Sequence, residues 1–198
     1  MEATASGHFL FETALGVVGI AWTPRGITRL QLPGRDPADT ERLLTAVRNG
    51  FPRPECTADA RVRLERLLPP TIAAAVALLR RYALGEPVAL AAIPVDLPYV
   101  SEFRRAVYRA ARRIGHGEVL TYGELAERAG HAGAFRETGT AMGANPVPLL
   151  VPCHRVLAAG RKPGGFSAPG GVATKLRLLA LEGIRLEAAD PAQASFGF

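Results

Sequence analysis

The segment 151-VPCHRV-156 contains three side chains that could do chemistry together. A thiol, an imidazole and a guanidinium stand at consecutive positions, Cys153, His154 and Arg155. The thiolate is the nucleophilic form of cysteine, and a basic group nearby favours it. The apolar run 147-VPLLV-151 predicts a buried extended segment that brings the sulfur to one defined point. These features are those of an activated cysteine.

Other interpretations of this cysteine stay open on the residues alone. A lone cysteine is most often a small buried hydrophobe, and the side chains of neighbouring residues such as Cys153 and His154 tend to diverge. An activated and a structural cysteine are therefore about equally supported. A zinc site is disfavoured, because such sites use four ligands in close pairs and the other cysteine and histidines are scattered. No feature marks the distant histidine and oxyanion hole of a papain-like hydrolase.

Length and composition indicate a folded globular protein. The chain has 198 residues, 48% of them hydrophobic and 21% charged, which allows one large domain or two small ones. No apolar run approaches the roughly 20 residues that span a bilayer. The N-terminal MEATASGHFLFET lacks the basic region and apolar core of a signal peptide. Two cysteines are too few for a disulfide framework, so we expect a cytoplasmic protein with free thiols and no membrane partner.

The positive charge is concentrated in the second half. The net charge is +6, and 22 of the 24 basic residues are arginine. From Pro98 onward basic residues outnumber acidic ones by 13 to 8, against 11 to 10 before it. A basic half weakly favours a polyanionic partner, although such an excess also occurs in proteins that never touch DNA.

Hydrophobic patterning divides the chain near Leu97. The first segment alternates between apolar and polar residues, with a tight turn at 24-PRG-26, which predicts three short strands over residues 8–13, 17–23 and 27–32. A helix is expected over 71–85, where apolar residues recur at helical spacing. Because charge and pattern both change near Leu97, residues 1–97 are predicted to form an N-terminal α/β domain and residues 98–198 a C-terminal domain.

The second half is predicted to be mostly helical. Ser101 can cap a helix over 102–114. Thr121 and Glu124 have the spacing of a capping box, which opens a short helix that Gly130 should end.

A second short helix follows, over about 134–144. It should stop before Asn145 because the proline after that residue disfavours helical geometry there. Two short helices joined by a glycine-containing turn predict a helix-turn-helix over about 121–145. The second helix is rich in small residues and offers only Arg136 as a long probe, so it either packs tightly inside the protein or lies in a narrow groove and reads shape.

Four segments together resemble the O6-alkylguanine-DNA alkyltransferases, also called methylated-DNA–protein-cysteine methyltransferases: 121-TYGELA-126, 136-RETGTAMGANP-146, 145-NPVPLLVPCHRV-156 and 170-GGVATKLRLLALEG-183. The resemblance is strong from about Phe103 to Gly183 and faint before that. It implies a DNA repair protein that flips O6-alkylguanine out of duplex DNA. The alkyl group then passes irreversibly to the protein's own cysteine, in a single turnover. The chief substrate would be O6-methylguanine, with O4-methylthymine as a further candidate.

The resemblance also implies a fold. We expect an α+β two-domain protein. Its N-terminal domain would be a small antiparallel sheet with helices, of ribonuclease H-like type. Its C-terminal domain would be mostly helical, with a winged-helix-like helix-turn-helix. The active-site segment would be 145–156, and the tail after Ile184 would be loosely held.

Five catalytic roles are carried over from the family's motifs. Cys153 matches the acceptor thiolate, and His154 matches a histidine that acts as base through a bound water. Glu182 matches the glutamate that orients this histidine. Asn145 matches a hinge asparagine between the DNA-reading helix and the active-site segment. Tyr122 matches the tyrosine that helps rotate the nucleotide and contacts the guanine edge.

Further residues match positions that contact DNA or the flipped base. Arg136 matches the arginine that fills the gap left by that base. The expected DNA-binding set in the minor groove is Arg136, Tyr122, Thr121, Thr138, Gly139 and Ala141. The expected base pocket is Val156, Phe166, Ser167, Pro148 and Lys175. The resemblance implies no metal and no cofactor, and a monomer whose partner is double-stranded DNA containing O6-alkylguanine.

Two departures from the family pattern concern the alkyl pocket. Phe166 stands where better-known members have a tyrosine, and the loop 165-GFSAPGG-171 is longer than the shortest versions.

Arg155 is assigned to structure or phosphate contact rather than chemistry.

Two other functions are less compatible with the sequence than alkyl transfer. A related protein that flags lesions without transfer would lack the acceptor cysteine, which this chain has. A helix-turn-helix regulator with a redox-sensing thiol would carry more polar side chains on its reading helix.

Overall fold

The computed structural model describes residues 6–46 and 65–186. Cys56 and all but two residues of the tail after Ile184 lie outside these ranges. The described strands are β1 (Gly7–Thr13), β2 (Gly16–Thr23), β3 (Gly26–Gln31), β4 (Leu120–Thr121) and β5 (Val156–Leu157). The described helices are α1 (Pro37–Thr45), α2 (Pro70–Ala83), α3 (Glu102–Ala111), α4 (Tyr122–Arg128), α5 (Phe135–Gly143) and α6 (Gly171–Leu181). Short 3-10 helices cover Glu65–Leu67, Leu90–Ala92, Cys153–Arg155 and Ala159–Arg161.

The N-terminal sheet has three antiparallel strands in the order β1-β2-β3. This confirms the three predicted strands, whose apolar faces pack inward. The register shifts by a bulge between Ala21 and Trp22. Beyond the sheet, Ile27 also forms an isolated parallel bridge with Val95. The predicted α+β class with a small antiparallel sheet is confirmed.

Helix α1 was not predicted from the sequence. Asp36 caps it by accepting a hydrogen bond from the Asp39 amide, and Pro37 occupies its first turn. Its buried residues are mostly polar, so it lacks the apolar stripe that marks α2, where Ile72 and Val76 are buried. The sequence pattern is weak here because the helix contributes little apolar surface to the core.

The predicted caps of the C-terminal helices are present. Ser101 accepts a hydrogen bond from the Arg104 amide at the start of α3. Both halves of the capping box between Thr121 and Glu124 are formed at the start of α4. Helix α3 ends at Ala111, three residues earlier than predicted, because the chain tightens into a turn after it.

Helix α5 ends where the sequence predicts, at Gly143, with Ala144 as its C-cap just before the Asn-Pro pair. It packs against α4, and both contact α3. The predicted pair of short helices is therefore formed.

One continuous hydrophobic cluster runs through the described residues. It extends from Ile20 in the sheet, through Val107 and Leu125, to Cys153 and to Leu178 in α6. The candidate acceptor thiol is thus part of the main core, which fixes its position.

Candidate active site

Cys153 opens a 3-10 turn directly after Pro152. Its amide donates to the Val151 carbonyl at 2.8 Å, and only 7% of the residue is exposed. The parallel pair β4–β5 then anchors the chain, with Val156 opposite Leu120. The sulfur is therefore held by backbone on both sides rather than carried on a loop.

A strained turn precedes the cysteine, and Asn145 closes it. The Asn145 Nδ2 donates to the Val151 carbonyl at 2.8 Å, and its Oδ1 accepts from the Val147 amide at 3.0 Å. Within the turn Leu149 has a φ of 71°, a left-handed conformation that costs a non-glycine residue energy and persists only where the surroundings impose it. One amide side chain thereby ties the end of α5 to the segment that carries the thiol.

The His154 side chain points towards Glu182. Its Nε2 lies 2.7 Å from Oε1 of Glu182, and the residue has no exposed surface. Because an ionised carboxylate only accepts hydrogen bonds, Nε2 carries the hydrogen and Nδ1 keeps its lone pair. Nδ1 is buried and has no hydrogen-bond partner among the described residues, so it is available as a proton acceptor.

Two further side chains hold Glu182. Tyr82 in α2 donates to Oε1 at 2.7 Å, and its hydroxyl lies 3.2 Å from Nε2 of His154. Arg155 binds both carboxylate oxygens, with Nε 2.8 Å from Oε2 and Nη2 2.9 Å from Oε1, and its Nη1 donates to the Ile114 carbonyl. All four side chains are buried, so this is a closed network of charge-assisted hydrogen bonds.

The pKa values of this network follow from burial and charge. Burial raises the pKa of Glu182, but the hydrogen bonds from His154 and Arg155 outweigh it and hold the pKa well below its usual range. Burial lowers the pKa of His154, and Glu182 only partly offsets this. The network therefore consists of an ionised glutamate beside a neutral histidine.

The pKa of the Cys153 thiol lies above its ordinary range, because burial outweighs the groups that favour the thiolate. Burial raises the pKa of Cys153, while a hydrogen bond from Asn145 and the charge of Lys175 lower it. Lys175 is fully buried, and burial lowers its pKa to about 8. Its Nζ donates to the Val156 carbonyl at 2.5 Å and lies 6.0 Å from the centroid of the Tyr122 ring.

Two cavities meet at Cys153. The larger, of about 310 Å³, opens beside α5 and is lined by Tyr122, Gly139, Met142, Gly143, Cys153, Gly165, Phe166 and Ser167. The smaller, of about 60 Å³, lies towards β3 and also borders Pro148, Asn145 and Gln31. Phe166 and Ser167 border both cavities. The larger cavity is within the size range of small-molecule sites.

Helix α5 presents glycines to the larger cavity. A Cβ at Gly139 would lie 4.0 Å from the Tyr122 ring, and one at Gly143 would meet nothing. Arg136 is exposed. Thr138 and Ala141, which were expected to contact DNA, are instead buried, because they lie on the face of α5 that packs into the protein. Their side chains are not at the surface in this structure.

Most of the remaining predicted site residues lie around the thiol. Val156 is buried and offers its carbonyl to Lys175, while Ser167 is exposed at the cavity mouth. Thr121 serves as the N-cap of α4. The sequence did not predict that two residues of this network, Tyr82 and Arg155, bind Glu182. For Tyr82 no local signal exists. For Arg155 one signal was available: its long charged side chain follows directly after Cys153 and His154, at the end of a segment expected to be buried.

Within the described residues no group of three or more His, Cys, Asp or Glu side chains could hold a metal ion. Nor does any helix in residues 6–46 and 65–186 combine the length and apolar character needed to cross a membrane.

Comparisons with known proteins point to one family. The family model described as "6-O-methylguanine DNA methyltransferase, DNA binding domain" matches residues 102–184. A methylated-DNA–protein-cysteine methyltransferase of Mycolicibacterium paratuberculosis is 44% identical over 115 residues, which cover 58% of this chain and 67% of that relative. A protein of the same name from Sulfolobus acidocaldarius is 47% identical over 94 residues, covering 48% and 57% of the two chains.

Solved structures extend the similarity over nearly the whole chain. The crystal structure of Mycobacterium tuberculosis OGT in complex with DNA has a TM-score of 0.64 at 29% identity, and covers 89% of this chain and 92% of that one. The O6-methylguanine-DNA methyltransferase of Pyrococcus kodakaraensis has a TM-score of 0.65 at 22% identity, with 89% and 99% covered. The second comparison shows a shared fold.

Proposed function

Because the chain belongs to the methylated-DNA–protein-cysteine methyltransferases, we propose that it repairs DNA by taking the alkyl group of O6-alkylguanine onto Cys153. One observation carries this proposal. A buried thiol stands at the junction of two cavities. The next residue in the chain is a histidine whose Nδ1 has no partner among the described residues and whose Nε2 is held by an ionised glutamate. That is the arrangement of an activated nucleophile, its base and the group that orients the base.

The reaction proceeds in one displacement. The thiol proton passes through an intervening water to Nδ1 of His154, and the resulting thiolate attacks the alkyl carbon. A carbon–sulfur bond forms as the carbon–oxygen bond breaks, and guanine leaves as an anion that takes up a proton. The thioether on Cys153 is stable, so each molecule acts once.

The substrate base must leave the helical stack to reach the thiol. Extruding a base costs a few kcal/mol, and enzymes that act on a base compensate by filling the gap and binding the flipped base. Arg136, exposed on α5, fills the gap from the minor groove. Tyr122 and the cavity beyond Gly139 receive the base, chiefly O6-methylguanine, with O4-methylthymine as the further candidate.

The pocket residues have distinct tasks in this proposal. Lys175 holds the Val156 carbonyl in place as an acceptor for the base, and its positive charge favours the thiolate. Ser167 offers its backbone at the cavity mouth. Phe166 and Pro148 wall the space that the alkyl group enters.

Several finer expectations belong to the same proposal. Helices α4 and α5 act as a helix-turn-helix of winged-helix-like type, and the N-terminal sheet with its helices has a ribonuclease H-like arrangement. The domain division falls near Leu97. The protein acts as a cytoplasmic monomer on double-stranded DNA, with no metal and no cofactor.

Intact mass spectrometry tests the transfer. The protein is incubated with a duplex carrying O6-methylguanine, and we expect the mass of one methyl group to be gained at Cys153. Cys153→Ala should gain nothing, whereas Cys56→Ala, the matched removal of the other thiol, should gain the methyl group fully. Absence of the gain in the unaltered protein, or an equal gain in Cys153→Ala, would falsify the proposal.

Comparison of two substrates tests base flipping. We expect Arg136→Ala to slow transfer from duplex DNA far more than transfer from free O6-methylguanine, which needs no flipping. Arg66→Ala removes the same charge in the 3-10 helix before α2 and should change neither rate. Equal losses on both substrates in Arg136→Ala would contradict the gap-filling role.

A further inference from the structure

Phe135 is a large aromatic residue left in solvent at the first position of α5. Its side chain is 52% exposed. It is not part of the hydrophobic core cluster or of the partly buried residues that pack on it. Exposed apolar side chains are common singly, so exposure alone assigns nothing. The position of Phe135 on α5 is what indicates a role for it.

Helical geometry puts Phe135 on the face that borders the cavity. Successive residues turn by about 100°, so Gly139 and Gly143 lie about 40° and 80° round the helix from Phe135, and Arg136 about 100°. The glycine stripe that opens the cavity to Cys153 therefore runs between the directions of these two side chains. Phe135 flanks the stripe on one side and Arg136 on the other, both in the first turn.

The two side chains also contact each other. The Cζ of Arg136 lies 5.7 Å from the centroid of the Phe135 ring, within the range of a cation–π interaction. The contact favours arginine conformations close to the ring and reduces the rotamer freedom that Arg136 loses on binding.

We propose that Phe135 inserts into the minor groove beside Arg136 and stacks on a base next to the flipped nucleotide. Helix α5 then brings two side chains to the DNA, an arginine for the gap and an aromatic wedge for the adjacent step. Proteins that bend DNA from the minor groove insert apolar wedges of this kind between base steps. The inference rests on the proposed function, because it needs α5 to enter DNA.

The test measures both stacking and repair. A duplex carries O6-methylguanine and the fluorescent base 2-aminopurine at the neighbouring position, and the reporter signal is followed together with single-turnover methyl transfer. Base–aromatic stacking contributes enough that its loss weakens binding by about tenfold or more. We expect Phe135→Ala to lower duplex affinity and transfer rate by about that factor, to change the 2-aminopurine signal, and to leave the reaction with free O6-methylguanine unchanged.

Matched variants separate stacking from bulk and from general surface effects. Phe135→Trp should retain the affinity, and Phe135→Leu should recover only part of it. Tyr99→Ala removes another exposed aromatic, outside α5, and should behave as the unaltered protein. If Phe135→Ala repairs the duplex at the full rate with an unchanged reporter signal, the wedge is refuted while the proposed function stands. If the unaltered protein transfers no methyl group, the proposed function itself fails.

Discussion

His154 donates its Nε2 hydrogen to Oε1 of Glu182 across 2.7 Å, and both side chains are buried. This single contact determines which tautomer of the imidazole is present. It leaves Nδ1 as the basic atom in a residue that is adjacent to the thiol in sequence. The histidine is thus oriented by a group 28 positions away rather than by its neighbour.

Tyr82 is expected to support this orientation. Tyr82→Phe removes the hydroxyl that donates to Glu182, a hydrogen bond to a charged group, so the free energy of unfolding should fall by about 1.5–3 kcal/mol. Methyl transfer from the free base, measured by single-turnover kinetics under conditions in which the variant is folded, should become slower because the His154 ring is held less firmly. Tyr108→Phe removes a buried hydroxyl that donates to the Ala141 carbonyl and not to Glu182, and should keep the rate. Equal rates in the two variants would show that Tyr82 is structural only.

Arg155 is expected to be the strongest stability determinant of the site. Arg155→Met leaves the buried carboxylate of Glu182 without its bidentate partner, and the free energy of unfolding should fall by about 3–5 kcal/mol in chemical denaturation. Arg81→Met breaks the exposed pair with Glu86 and should cost less than about 1 kcal/mol. Arg155→Met combined with Glu182→Gln should cost less than the sum of the two single changes, and a fully additive pair would count against a direct coupling.

The buried His154–Glu182 pair predicts loss of stability in acid. The folded pKa of His154 lies below its ordinary 6.5 and that of Glu182 below its ordinary 4.5. The unfolded chain therefore binds more protons, and stability rises with pH. The histidine's contribution is present above pH 6.5 and is lost as pH falls below it. The glutamate's contribution is lost as pH falls below 4.5.

Denaturant titrations across pH check this. The free energy of unfolding should decline from pH 7 to pH 4 in the unaltered protein, and less steeply below pH 5 in Glu182→Gln. Glu86→Gln, which alters an exposed carboxylate, should reproduce the unaltered curve. A Glu182→Gln curve parallel to that of the unaltered protein at low pH would disprove the assignment.

Thr138 is expected to tolerate loss of its hydroxyl. The Oγ1 atom is buried and has no hydrogen-bond partner among the described residues, which is costly. Thr138→Val keeps the shape and should raise the free energy of unfolding by about 1 kcal/mol while DNA affinity stays unchanged. Thr140→Val, at an exposed position of the same helix, serves as the control. A selective loss of DNA affinity in Thr138→Val would contradict this prediction and support the contact between Thr138 and DNA that the sequence led us to expect.

Local features of the fold could be predicted from the sequence, because their causes are local. The capping box at Thr121, the cap at Ser101 and the end of α5 before Asn145 each depend on residues within one turn. The three strands follow from alternation in the same way. Helix α1 was not predicted because it has almost no apolar stripe, although Asp36 is a suitable N-cap residue.

The active-site network could be predicted only in part. The resemblance supplied candidates such as Glu182, but neither periodicity nor spacing says that a tyrosine of α2 reaches it, since Tyr82 is one of several buried residues on an apolar face. Arg155 was assigned to structure or phosphate contact, and the sequence did not indicate which residue it would bind. Its burial depends on a carboxylate 27 positions later, and only the folded chain brings the two together.

The contact between Tyr82 and Glu182 joins residues 100 positions apart. Synthesis proceeds from the N-terminus, so Cys153 is made before Glu182, and the histidine beside it has no orienting carboxylate until the later segment has folded back. Reactivity is therefore acquired late, as a property of the folded chain rather than of the PCHR motif. In the proposed single-turnover reaction, this order of events would protect a protein from being consumed while it is still being made.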